Sequence, residues 1–426
     1  MDCELVMTKG MFQMIARHLR RAAVAGAVCC ALTGPAWAQT AETAEIPEIG
    51  DFVQEEWLSW RLPGWTFLPG MTIAGILDSN VALADAPAAT GRTESDRLFL
   101  VQPFGRAEYH SPRTVFTTGY RGYLRRYAQA RELNGFDQRF SASVRRRATK
   151  FVTLFASNSF HDVPTTDEVV LNGVLFSRTG ARTNSFSGGF SARLSRVVDL
   201  TAQYENTWVA FDHRADTFLA DGVVNGGVVT LSRRLSSRLS AGGQYAIRLA
   251  SINDGERELT FQDVGGTVSY AAGRRTTVSG AAGVSLLRDR TTGTDRRGPF
   301  IRAGVVHGID RLVVGANFQR SLVPAFGFGG STSTQELSGF VRMPLASNRA
   351  YIQSSVAWRR SDPFLETDLE LDSIWARTTV GYALARWLRV EGFHAYTRQD
   401  SIVVGGEIDR HRVGFQAVIA QPMRIR

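Results

Sequence analysis

The sequence predicts an all-β protein: a transmembrane, antiparallel up-and-down β-barrel of about eighteen strands. Three observations lead there. Segments of about ten residues alternate apolar and polar side chains, as where Val198, Leu200, Ala202, Tyr204 and Trp208 interleave with Asp199, Thr201, Gln203, Glu205 and Thr207. The chain returns every 35–47 residues to a tight, basic turn. After residue 38 it has no apolar run of about 20 residues, so no helical span is available.

Residues 1–38 have the layout of a secretory signal peptide. Arg17, Arg20 and Arg21 form the basic region, Ala22 to Leu32 the apolar core, and Ala36-Trp37-Ala38 the small-residue cleavage site before Gln39. Asp2 and Glu4 ahead of the basic region leave Met11 and Met14 open as starts. Cys29 and Cys30 follow Val28 and each other, not the Gly, Ala or Ser that lipidation requires. Cys3, Cys29 and Cys30 are the only cysteines, which excludes disulfides and thiolate metal sites from the mature chain. Residues 39–68, with Trp57, Trp60 and Trp65, form a periplasmic N-terminal segment, either a tail packed on the barrel or a small plug.

The barrel itself is expected over residues 69–426, from a first strand near Met71 to Leu83 to a last strand starting near Arg412. Short turns fall near Ser111-Pro112, Thr149-Lys150, Arg196, Ser236-Ser237, Gly273-Arg274, Gly308 to Asp310, Ser347-Asn348 and Arg386. Longer loops of Gly, Asp, Glu, Ser and Thr lie between them, such as Ala84 to Arg97, Thr291 to Gly298 and Ser361 to Asp372. Nine long loops and eight short turns make eighteen strands, with both chain ends on the periplasmic side. A soluble β-sandwich or propeller is the structural alternative, but a sandwich's strands would be nearer six residues. Tyr204, Trp208, Tyr245, Trp358 and Tyr382 suit interfacial aromatic girdles better.

Function in such a barrel is read from its lumen. Without the leader's four basic and two acidic residues, 45 basic and 38 acidic side chains remain, a formal charge of +7. Only Lys9 and Lys150 are lysines. In the third strand Phe116, Thr118, Tyr120 and Leu124 face lipid, which turns Arg121 and Arg125 inward. The same parity turns Arg139, Arg145, Arg193, Arg248, Arg302, Arg342, Arg377 and Arg389 inward, against the inward acids Asp199, Glu205 and Glu391. A second basic group, including Arg146, Arg147, Lys150, Arg233, Arg234 and Arg386, rims the periplasmic side. Guanidinium groups bind carboxylates and phosphates bidentately and concentrate anions at a constriction. The competing reading is that these arginines merely solvate a water-filled interior and pair with the inward acids.

Gly327, Gly329 and Gly330 lie in a loop with no helix behind them, which suits a mobile or constricting loop rather than a phosphate cradle. His161-Asp162, His213 and His411 are scattered, with no serine nucleophile at a recognisable spacing, so no catalytic site, resident metal or cofactor is expected.

Pro69-Gly70-Met71-Thr72, Asp78-Ser79-Asn80-Val81 and Arg97-Leu98-Phe99-Leu100-Val101-Gln102-Pro103 resemble the opening strand, turn and second strand of an outer-membrane β-barrel porin family associated with exopolysaccharide export loci. The resemblance runs from Pro69 through Phe211, with the remainder alike in architecture only. Architecture also resembles the alginate-export barrel, although no residue motif of that barrel is matched. What the resemblance implies is a barrel partnering a periplasmic polysaccharide-export protein. One departure is the ending Pro422-Met423-Arg424-Ile425-Arg426, where such barrels end in an aromatic residue. The combined expectation is a non-enzymatic bacterial outer-membrane channel that meets lipid and passes an anionic polysaccharide or small anions, with no nucleic-acid partner. Exopolysaccharide exit is the leading reading. A passive anion-preferring diffusion porin and an occluded structural or adhesive barrel are the alternatives.

Overall fold

The structure is a computed structural model. It describes residues 63–425 apart from 82, 84–94, 164–169, 172–173, 176–179, 213–218, 254, 310, 346–348, 366–369 and 402–405. The leader, Trp57 and Trp60 therefore lie outside the described residues.

Eighteen antiparallel strands close into one barrel. In chain order they are β1 Gly64–Asp78, β2 Asp96–His110, β3 Thr114–Tyr127, β4 Gly135–Arg147, β5 Val152–Val163 and β6 Ala181–Arg193. Next come β7 Val198–Phe211, β8 Gly222–Arg234, β9 Leu239–Ile252, β10 Arg257–Ala271, β11 Thr276–Asp289 and β12 Asp295–Ile309. The last six are β13 Leu312–Pro324, β14 Ser331–Pro344, β15 Ala350–Leu365, β16 Leu371–Ala383, β17 Leu388–Ser401 and β18 Gly406–Ala420. Each pairs with its neighbours in sequence, and β1 closes on β18 through Gly70↔Ala420 to Asp78↔Arg412. After Gln421-Pro422 the chain resumes as Met423–Ile425 against Phe67, Thr66 and Trp65. Closure removes every open sheet edge, a condition for backbone in lipid.

Exposed apolar side chains mark the outer face: Phe140, Leu154, Phe190, Tyr204, Val229, Val264, Val284 and Val380 lie at alternate positions along their strands. Twelve to sixteen residues per strand, tilted as in any barrel of this size, cross an apolar band about 25 Å tall. The protein is thus an outer-membrane β-barrel by construction.

Several expected boundaries move. The first strand runs from Gly64 to Asp78 instead of Met71 to Leu83, which places Trp65 and Phe67 in the barrel wall. The last begins at Gly406, six residues before Arg412. The stretches expected as loops at Thr291 to Gly298 and Ser361 to Asp372 are partly strand, since β12 starts at Asp295 and β15 continues to Leu365. In each case polar residues continue the ladder where the wall emerges into water, and their composition resembles a loop.

One hairpin departs from the ring. The β12–β13 ladder ends at Ile301↔Arg320, while β13 stays paired with β14 as far as Pro324↔Ser331. Beyond Arg320 the hairpin tip leaves β12 and enters the barrel. A methyl group added at Gly298, on the inner face of β12, would lie 3.2 Å from Leu322 Cδ2. Leu322, Ala325 and Phe326 are buried against inward Val209, Phe211, Ile252, Leu259, Phe261 and Leu287. Gly327 exchanges two backbone hydrogen bonds of 3.1 Å with Ala220, just before β8 and six strands away around the ring. Positive φ at Gly327, Gly329 and Gly330 (83°, 70° and 68°) makes this fold-back possible without side-chain strain. The glycine-rich loop is a constriction.

A smaller insertion covers the other side. The 3-10 turn Arg131–Leu133 places Leu133 against Ile76, Leu98, Tyr123 and Tyr127. Asp96 fixes it by accepting the N–H of Gln129 and of Ala130, each at 2.9 Å.

Candidate functional site

Side chains at opposed positions of an antiparallel pair share a face, so the register assigns the inner wall directly. Arg121 opposes Arg139, and Arg145 opposes Val115. Arg193 opposes Asp199, Arg248 opposes Phe261, and Arg302 opposes Ala281 and Gln319. Arg342 opposes Val313 and Gln353, Arg377 opposes Ser355 and Ala395, and Arg389 opposes Val418. All ten lie on the face opposite the exposed apolar residues. Their surroundings divide them.

Arg125 and Arg248 are structural. Arg125 is 1% exposed and ion-pairs with fully buried Asp137 on the next strand. Arg248 Nη2 donates to Asp263 at 2.8 Å and to the Leu322 carbonyl at 3.4 Å, which ties the in-folded hairpin to the wall. The Ser285 hydroxyl donates to the second Asp263 oxygen. Arg389 lies 4.0 Å from Glu391, which also accepts from the Tyr351 hydroxyl and from Gln416. A desolvated guanidinium is held in place by its carboxylate, and neither is free to meet a solute.

Arg193 and Asp199 face each other at 3.7 Å, more than 40% exposed at the periplasmic end. Arg145 is exposed on the same side and Arg342 is half-buried. Arg121 donates to the Tyr123 hydroxyl at 3.3 Å, while Arg139 lies over the Tyr123 ring at 4.7 Å. Arg377 lies over Phe393 at 4.5 Å.

Arg302 packs on an aromatic ring, as Arg139 and Arg377 do. Its guanidinium carbon lies 4.8 Å above buried Phe300. Among the described residues it has no carboxylate within ion-pair distance, and its buried Nε donates to nothing. Glu205 and Asp263 attract it from farther off, and Arg248 repels it. Glu205 itself accepts from Gln203 Nε2 at 3.0 Å.

The sequence reading counted too few inward acids. Beyond Asp199, Glu205 and Glu391, the inner wall carries Asp78, Glu108, Asp137, Asp263 and Glu336, and further arginines answer them. Asp78 accepts from Arg410 Nε at 2.9 Å and Arg412 Nε at 3.1 Å across the β1–β18 closure. Glu336 accepts from Arg359 Nε at 3.0 Å and Gln319 at 3.3 Å, and Arg106 lies 3.8 Å from Glu108. The signal was present in part: Asp137 precedes Arg139 by two residues and shares its face. Asp78 and Glu336 stand nearer the outer ends of their strands, where loop and strand composition converge. The lumen is therefore a lattice of ion pairs with a few cations left over, rather than an uninterrupted arginine ladder. Among the described residues no group of three or more His, Cys, Asp or Glu could hold a metal ion.

No family model matches the chain. No curated protein matches it either. Solved structures similar to it include OccAB4 of Acinetobacter baumannii, at 9% identity and a TM-score of 0.46, covering 84% of this chain and 98% of that one. OccAB3 of the same organism gives 8% identity and a TM-score of 0.44, covering 84% and 99%. The outer membrane protein opdK from Pseudomonas aeruginosa gives 10% and 0.42, covering 84% and 99%. Likeness at that level transfers neither substrate nor mechanism.

Proposed function

We propose that the protein is a passive, anion-preferring diffusion channel of the bacterial outer membrane, without catalytic activity. Arg302 carries this reading. It is an inward guanidinium without a paired carboxylate, on the strand that also bears Gly298 beneath the in-folded hairpin. Buried pairs contribute little net field to a passing ion, whereas an unpaired cation in a partly desolvated site attracts anions and repels cations. A small anion exchanges water for this one group and moves on.

Exit of an anionic exopolysaccharide, with a periplasmic export protein as partner, needs a conduit open along its whole axis. Leu322, Ala325 and Phe326 occupy part of that space, which favours small anions over a polymer.

Reversal potentials in planar bilayers under a KCl gradient test the proposal. The wild type should prefer chloride, and Arg302→Gln should move the reversal potential toward zero while leaving insertion unchanged. An unchanged potential would remove Arg302 from selectivity. Absence of any conductance would favour the occluded barrel, and loss of secreted polysaccharide in a deletion strain would favour the exit pore.

A further inference from the structure

We infer that the periplasmic rim beneath β4 to β8 is a binding site for anionic phospholipid of the inner leaflet. Arg146, Arg196 and Arg233 form its core. Arg146 opposes lipid-facing Leu154, and Arg233 opposes lipid-facing Val198. Arg196 stands two residues before Val198, in the turn between β6 and β7. All three are exposed, and none has an ion-pair partner among the described residues.

Arginine abundance alone does not account for this. Each of the eight periplasmic turns carries an arginine or lysine, and their described residues include no Asp or Glu. Asp199, at the same end, faces the lumen with Arg193. Toward the outer end of the wall, exposed arginines meet acids. Arg182, Arg288, Arg360 and Arg398 lie 3.6, 2.9, 2.8 and 2.7 Å from Asp162, Asp295, Asp362 and Glu407. Those four are neutralised in place, whereas the periplasmic three keep their charge for a group outside the chain.

Local structure fixes where that charge sits. Three neighbouring turns share one build. Thr149 Oγ1 accepts the N–H of Phe151 and Val152 at 3.1 and 3.0 Å, and Ser195 Oγ those of Val197 and Val198 at 3.2 and 3.1 Å. Ser236 Oγ accepts those of Arg238 and Leu239 at 3.1 and 3.0 Å. A hydroxyl so placed closes the turn, which holds the flanking cations against the wall. Leu194 and Leu235, 58% and 57% exposed, continue the lipid-facing parity of Phe190 and Leu231 beside Arg196 and Arg233.

That mixture selects the occupant. Leucines at the end of the apolar band suit the acyl boundary, and an arginine whose stem lies along apolar surface reaches a headgroup phosphate from there. A guanidinium grips a phosphodiester with two N–H groups. A zwitterionic headgroup offers the same phosphate but offsets its charge with an amine, so an unneutralised site favours an anionic one. A soluble acidic protein would first meet Arg147 and Arg234, which the register turns toward the lumen, while lipid headgroups cover Arg146 and Arg233.

Spin-labelled lipids test the inference on the full-length barrel reconstituted in phosphatidylcholine vesicles. The wild type should hold phosphatidylglycerol several-fold more strongly than phosphatidylcholine, and high salt should remove the preference. Arg146→Gln, Arg196→Gln and Arg233→Gln together should bring the two lipids to parity while the folded gel band persists. Arg288→Gln with Arg398→Gln, at the outer end, should leave the preference intact. A wild type without preference, a preference insensitive to salt, or one that survives the triple variant overturns the proposal. So does a preference lost equally through the outer-end pair. Loss of polyglutamate binding from the triple variant with an unchanged lipid ratio would assign the rim to an acidic protein and overturn it as well.

Discussion

The outer and periplasmic halves of the inner wall use polar groups for opposite ends. In the outer half Arg125, Asp137, Arg248 and Asp263 are all under 6% exposed and bound to one another in pairs, beside two apolar clusters on the inner wall. On the β5–β7 side of the periplasmic half the wall is uncharged between its Arg193–Asp199 rim and mid-barrel, although the buried Arg389–Glu391 pair stands at the periplasmic start of β17. Ser157 and Ser187 share a hydrogen bond of 2.7 Å, and Ser191 and Thr201 share one of 3.0 Å, within reach of lumen water. Charge in the outer half holds strands and loops in place, while hydroxyls in the other half wet the channel. Counting arginines in a lumen therefore overstates the field a solute meets.

The largest expected effect breaks this contrast directly. Asp137→Ala strands Arg125 without its carboxylate in a desolvated site and should cost about 3–5 kcal/mol, read as a lowered urea midpoint for loss of the folded gel band. If the loss is no greater than for Ser157→Ala, the outer half is not built on its ion pairs. Next, Ala316→Arg places a charge in mid-membrane lipid and should cost about 2–4 kcal/mol, whereas Asn317→Arg, one residue on and facing the lumen, should be tolerated. Equal losses at both positions would mean that the two faces of β13 do not differ in solvent. Smallest is Ser157→Ala itself, expected within about 0.5 kcal/mol because water replaces the lost hydroxyl bond.

Lipid made the outer face legible in the sequence, because hydrocarbon forces every second residue to be apolar over several positions on each strand. That constraint alone gives eighteen strands, antiparallel order and the inward parity of Arg121 through Arg389. Two things escaped it. Nothing in the alternation marks apolar Leu322 and Phe326 as lying inside the barrel, since alternation records burial without recording what does the burying. The pairing of Arg248 with Asp263 was equally hidden: both residues satisfy the inward parity, but only the register of β9 against β10 brings them together. Thr379 illustrates the same limit. Its parity suggests an inward site open to a larger side chain, whereas it is buried and opposed by Phe393.

The Asp78 contacts with Arg410 and Arg412 bear on how the barrel comes into being. They join residues 332 and 334 apart in the chain, whereas every other neighbouring pair of strands is joined by a turn or loop. Loop-closure entropy grows only logarithmically with length, so so distant a junction costs little more per doubling, about 0.6 kcal/mol. Time is the greater obstacle. A contact of such high sequence separation forms after the local hairpins, and until it does both terminal strands remain open edges. Two arginines converging on one carboxylate, followed by the short Met423–Ile425 ladder at the opposite end of β1, give the final joining step a fastening at each end.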